Sequence, residues 1–198
     1  CIFKIFERVM YIRLVGYLEY NKLFDSEQHG FRSGHSAITA ATKFIDSVIN
    51  SLDQGEKVAG IYMDLSKAFD SVSHIKLISI LSNLGIQGPS LAWFKSYLMG
   101  REQFVELSYV KQNQLVPYQS KVVTSRHGVP QGSILGPLLF LCYVRGLPSL
   151  VSNNPKSQII LYADDVNLTI SAKSTNEIEI SASAAMSHIS NFFHPIKF

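Results

Sequence analysis

Cysteine is nearly missing from this sequence: Cys1 and Cys142 are the only two in 198 residues. Cys142 lies inside an apolar run, so no disulfide framework is expected and a reducing compartment fits. Long apolar stretches are missing too. The longest, 134–144, has eleven residues, against roughly 20 needed to span a bilayer, and reads as a buried core helix. No five like charges stand together, so there is no acidic tail or basic arm. No repeat, low-complexity tract or long linker divides the chain. It opens on Cys1 with no signal peptide, and so reads as an excerpt of something longer.

What is present is ordinary globular composition: 46% hydrophobic, 17% charged, 12 Gly and 7 Pro. Disorder and collagen are excluded. A chain of this length buries roughly 70% of the surface it exposes when unfolded, enough for one good core. The net charge of +3 is compatible with a nucleic-acid partner but does not demand one.

Hydrophobic periodicity supplies the elements. Ile2, Ile5, Phe6, Val9, Met10, Leu14, Tyr17 and Leu18 follow helical spacing. A second helix turns Ala37, Ala41, Phe44, Ile45, Val48, Ile49 and Leu52 inward and ends at Asp53-Gln54-Gly55. Residues 57–64 read as a buried strand with an acidic end. Helices follow from about Ser73 to Leu84 and from Pro89 to Gly100. Residues 103–110 alternate and are expected to pair with 121–126. A loop, 127–133, feeds the apolar helix through Leu147. Strands 159–162 and 166–171 are joined tightly through Ala163-Asp164-Asp165. Ser174 and Glu177 form a capping box for a last helix bearing Ile178, Ala182, Met186, Ile189 and Phe193. Together these predict an α+β fold with helices on one face of an antiparallel sheet.

Two features point to chemistry. Asp164 and Asp165 are adjacent at a hairpin tip, and Asp64 ends another strand that an antiparallel pairing would bring beside them. Like charges at 4 Å repel by about 4 kcal/mol at an effective dielectric near 20. A fold tolerates that when water solvates them or a cation lies between. Three carboxylates make an all-oxygen site suited to Mg²⁺, and to two such ions for phosphoryl or nucleotidyl transfer. The bland alternative is an Asp-Asp pair that only caps a solvated turn.

The ordered set settles the reading: Gln28-His29-Gly30-Phe31-Arg32, then Asp64-Leu65-Ser66-Lys67-Ala68-Phe69-Asp70, then Gly128-Val129-Pro130-Gln131-Gly132-Ser133, then Tyr162-Ala163-Asp164-Asp165. It resembles the reverse transcriptases of non-LTR (LINE-like) retrotransposons, nearest the jockey-like and chicken-repeat-like groups, over almost the whole chain. The resemblance implies a right-hand polymerase palm, an antiparallel sheet backed by helices: partial fingers over 1–56, palm over 57–198, and no thumb. It implies Asp64, Asp164 and Asp165 as catalytic metal ligands for two Mg²⁺ ions, with Mn²⁺ able to substitute. Backbone amides from Leu65 and Ser66 to Ala68 would face the incoming deoxynucleoside triphosphate. Phe69 would be the steric gate against a ribose 2′-OH, Gln131 and Gly132 would meet the nucleotide, and Tyr162 would lie near the primer end. The implied partners are an RNA template, a DNA primer and a dNTP, with no membrane. The implied place of action is intracellular, nuclear or cytoplasmic.

Arg32 and Lys67 are candidate phosphate contacts or ordinary structural cations, and Asp70 is expected to cap the next helix. His29, His35, His74 and His127 lack zinc-ligand spacing. Trp93 to Tyr97 read as core rather than as a base-stacking platform. Ser73 and Gly146 stand where relatives often carry Asp. The resemblance places a basic fingers segment before Cys1 and stops near Phe193 to Phe198, where the lysine of the family's next segment finds no counterpart, Lys197 included. Two functional readings therefore stand: an RNA-templated DNA polymerase palm, or an inactive retroelement remnant that binds nucleic acid weakly. A two-metal phosphohydrolase is a remoter third, which the Pro-Gln-Gly loop and Phe69 argue against.

Overall fold

The computed structural model describes residues 2–65, 67–111, 114–151 and 156–193. Among the described residues six α-helices and seven strands run α1 (Ile2–Tyr20), α2 (Ala37–Asp53), β1 (Lys57–Asp64), α3 (His74–Asn83), α4 (Gly88–Leu98), β2 (Glu102–Gln103), β3 (Glu106–Lys111), β4 (Gln114–Gln119), β5 (Val123–Thr124), α5 (Gly136–Val144), β6 (Ser157–Tyr162), β7 (Asp165–Ala172) and α6 (Thr175–Phe193), with a short 3-10 turn at Pro148–Leu150. The α+β expectation holds.

The central sheet has the order β1-β7-β6, antiparallel throughout. Period-two alternation gives it two unlike faces. Ile61, Met63, Leu168, Val166, Ile159 and Leu161 lie on one face, over Ile178, Ala185 and Ile189 of α6. The other face carries Tyr62, Asp64, Asp165 and Asn167, and α2 crosses it. Helices therefore cover both faces rather than the single one expected. β1 is half-buried rather than buried, because it is an edge strand of this sheet.

A second core is helical. Leu14 and Leu18 of α1 join Leu77 and Leu81 of α3, Phe94 and Leu98 of α4, and Leu139 and Phe140 of α5. Phe94, Tyr97 and Leu98 are buried, and Trp93 stacks on Tyr97 at 5.3 Å, so that cluster is core as expected. Cys142 is buried in α5, and burial pushes its thiol up to about 12. Among the described residues no helix is long and apolar enough to cross a membrane.

Three local expectations change. On α2 only Ala40 is buried, while Ile38, Ile45, Ile49 and Leu52 are exposed. The helix meets the sheet through a small-residue edge, and that partner lies to one side of its apolar stripe. On α1, Phe3, Ile5, Phe6 and Val9 are exposed, and Glu7 occupies the inward position instead. Residues 106–111 pair with 114–119, not with 121–126; of the expected pairing only Gln103 opposite Val123 forms among the described residues, with Glu102 opposite Thr124 beside it. Pro117 is tolerated in β4 because this ribbon has only two strands, so each has an unpaired outer edge. In α3 the helix cap is Ser73, whose hydroxyl accepts from the Lys76 amide at 3.4 Å, and not Asp70.

Two buried histidines make stability pH-dependent. His74 donates from Nε2 to the Gly128 carbonyl at 2.7 Å. His29 Nδ1 meets Thr39 Oγ1 at 2.8 Å, and Nε2 of His29 is buried without a partner among the described residues. Burial, the largest cause in each, lowers both from the ordinary histidine value. Each is neutral in the fold at a pH where the unfolded chain is protonated, so unfolding takes up protons. The stabilisation is complete above pH about 6.5 and is lost as pH falls below it. The urea midpoint should therefore drop between pH about 7.5 and about 5.5; an unchanged midpoint contradicts the assignment.

Candidate functional site

Asp64 ends β1 and Asp165 opens β7, and the two are direct register partners. Paired residues of an antiparallel ladder put their side chains on one face with Cα atoms roughly 4.5–5.5 Å apart. Asp164 lies in the two-residue turn, Ala163-Asp164, between β6 and β7. Its carbonyl accepts from the Leu65 amide at 3.4 Å, which ties the chain leaving β1 to that turn. Asp64 and Asp165 are exposed and Asp164 is half-buried.

Asp64 and Asp165 line a cleft of ≈ 550 Å³ between the sheet and α2, with Tyr62 and Tyr162 on the sheet wall and Ala40 and Phe44 on the helix wall. A turn cap explains one Asp. It does not explain a second strand delivering Asp64 opposite Asp165, where facing carboxylates repel. Among the described residues no three His, Cys, Asp or Glu side chains form a ready-made metal group. The donor chemistry nonetheless fits a hard divalent cation: carboxylates only, two from directly paired positions, in a cleft that leaves room for water ligands.

The other expected residues fall around this edge. Ser66 lies outside the described residues. The amides of Leu65 and Ala68, expected to face a triphosphate, are donated instead to Asp164 O and, at 2.9 Å, to Leu65 O. Lys67 is exposed and holds a left-handed backbone, φ 54°. Phe69 is half-buried, its ring 4.8 Å from Phe140 and 6.3 Å from the exposed Phe31. Arg32 is held internally: it donates to Asp25 O at 2.7 Å and lies 4.8 Å above the Phe24 ring, which favours the structural reading of that cation.

The 127–133 loop is zipped along residues 69–73. Gly128 donates to Val72 O at 2.8 Å and Val129 to Phe69 O at 2.9 Å. Gly128 has φ 85°, and a Cβ there would meet the Asp70 backbone at 3.0 Å, so glycine permits both the turn and the approach. The zipper sets exposed Gln131 beside the Asp70 carboxylate, at 3.4 and 3.5 Å.

Sequence reading missed Glu7, which is 1% exposed. It accepts from Tyr97 Oη at 2.7 Å and the Ile134 amide at 3.2 Å, while Lys4 Nζ donates to Gly132 O at 2.5 Å. Helix α1 thus anchors both ends of the Gly132–Ile134 turn. Burial, the largest cause, holds the Tyr97 hydroxyl above its ordinary value. The signal was available: Glu7 shares a helical face with Leu14 and Leu18.

Residues 1–197 match the family described as "Reverse transcriptase (RNA-dependent DNA polymerase)". The chain belongs to the reverse transcriptase family. It is 32% identical over 170 residues to the probable RNA-directed DNA polymerase from transposon X-element of Drosophila melanogaster, covering 84% of this chain and 17% of that protein. The corresponding protein of transposon BS is 32% identical over 178 residues, covering 88% and 19%. That of mobile element jockey is 27% identical over 175, covering 86% and 18%. The chain spans about a fifth of the length of these relatives. The fold agrees with solved telomerases at low identity. One from Candida tropicalis gives TM-score 0.59 at 11% identity, covering 94% of this chain and 37% of that one. One from Candida albicans, in complex with a telomeric RNA fragment, gives 0.51 at 14%, covering 89% and 30%.

Proposed function

We propose that residues 57–198 are the palm and 1–56 part of the fingers of an RNA-templated DNA polymerase, which extends a DNA primer from deoxynucleoside triphosphates. The observation that carries this reading is the Asp64–Asp165 register with Asp164 in the adjoining turn, in a family whose members depend on a divalent metal. Asp64, Asp164 and Asp165 would hold two Mg²⁺ ions, replaceable by Mn²⁺, which when bound activate the primer oxygen and stabilise the leaving oxygen.

The primer 3′-oxygen forms a bond to the α-phosphorus while the α–β phosphoanhydride bond breaks and pyrophosphate leaves. The residues of this chain position the reactants. The cleft at Asp64 and Asp165 receives the primer end beside Tyr162, and the loop bearing Gln131 and Gly132 meets the nucleotide. Sequence comes from base pairing, so no base-reading side chain is required. Lys67, exposed in the turn after Asp64, is the better-placed cation for phosphate.

Primer extension on an RNA template, with Mg²⁺ or Mn²⁺, tests the reading on this chain. A ladder that requires both template and dNTP supports it. A folded chain that yields none overturns it for these residues alone. In an extending chain, Phe69→Val should raise ribonucleotide incorporation about tenfold or more relative to dNTP, or about 1.4 kcal/mol in discrimination. An unchanged preference assigns Phe69 to packing against Phe140 only.

A further inference from the structure

Gln28 is 3% exposed, and its side-chain amide makes three hydrogen bonds, two of them to the aspartate hairpin. The backbone around it first pairs with the free edge of β6: Leu161 donates to Glu27 O at 2.9 Å and His29 donates to Leu161 O at 2.8 Å. With the main chain pinned there, Oε1 accepts from the Gly30 amide at 2.7 Å and the Ala163 amide at 3.1 Å. Nε2 donates to Ala163 O at 3.3 Å. Both peptide groups of Ala163 are thereby bonded to one side chain 135 positions away.

Ala163 needs this support. Its φ is 56°, in the left-handed region that a residue with a Cβ rarely occupies. The next two residues are Asp164 and Asp165. Gly30 completes the seat: a Cβ there would stand 2.2 Å from Ala163 N and 2.8 Å from its Cα, so the two backbones touch. From the opposite side, Leu65 N holds Asp164 O at 3.4 Å. The hairpin tip is thus gripped on both flanks.

We infer that Gln28, seated by Gly30, is a positioning residue that sets the Ala163-Asp164 turn and so the placement of the aspartates for metal. This rests on the proposed metal role of Asp164 and Asp165. The residue type follows from the bonds: asparagine is one methylene too short, and glutamate lacks the N–H that Ala163 O accepts. It also gives the Gln28-His29-Gly30 motif a physical task in the fold.

The test uses amide exchange and direct Mn²⁺ binding, followed by paramagnetic broadening, so it does not depend on turnover. In the unaltered chain the Ala163 amide should exchange at least about a hundredfold more slowly than a free turn amide. Gln28→Met keeps the volume and removes all three bonds. It should abolish that protection and weaken Mn²⁺ binding at least about tenfold, the scale expected for groups that orient metal ligands. Gly30→Ala should weaken Mn²⁺ binding as much by pushing on the turn from the other side.

An unprotected Ala163 amide in the unaltered chain overturns the inference, as does a folded Gln28→Met protein that binds Mn²⁺ like the parent. If Gln28→Met does not fold, the exchange of the unaltered chain decides. An unaltered chain with a protected Ala163 but no Mn²⁺ binding that Asp164→Asn removes overturns the metal reading of the site, not the clamp.

Discussion

Asp164→Asn should lower primer extension by about a thousandfold, roughly 4 kcal/mol of transition-state stabilisation at 1.36 kcal/mol per tenfold. The substitution keeps shape and removes only the negative charge. The Asp164 carbonyl still accepts from Leu65, so the turn should remain. Asp164 is half-buried and directly precedes Asp165 in the turn; in the proposed metal role its carboxylate holds a cation where charge develops, and removing one such electrostatic group costs about 10²–10³-fold in well-studied cases. The check pairs an extension assay with a thermal melt. Activity should vanish while the midpoint stays within about 2 °C. Extension within tenfold of the parent would remove Asp164 from the site.

The largest expected loss of stability lies one face away. Leu168 is fully buried at the centre of β7, between Ile61 on β1 and Ile159 on β6. Leu168→Ala should cost about 2–5 kcal/mol, the sum of lost transfer energy and the cavity left behind. For a chain of this size that corresponds to a fall of roughly 5–15 °C in Tm. Ile45→Ala on the exposed side of α2 should shift stability by less than about 0.5 kcal/mol. Denaturant titration of the two variants checks the contrast. Equal effects would mean that the cores lie elsewhere.

That contrast also marks what could be read from residues alone. Strand 57–64 was legible because its apolar residues are bounded by Gly55 and the Asp64 turn. The hairpin was legible because two short apolar strands leave room only for a tight connection. The Ser36 capping box was overlooked. There Thr39 supplies the reciprocal bond usually made by Glu or Gln, so the signature lacked its usual letter. The β3–β4 ribbon was misregistered because Pro117 argues against a strand until its pairing is known.

The aspartate trio, the Pro-Gln-Gly loop and the apolar face of each helix and strand were determined by the sequence itself, through local periodicity and motif order. Only the tertiary structure decided that Gln28 grips Ala163 and that Glu7 anchors the turn before α5, just as it left Ile45, Ile49 and Leu52 of α2 exposed. Those contacts join residues about 90 to 135 positions apart. Local spacing encodes which face of an element is apolar. It does not encode which distant element the fold brings against that face.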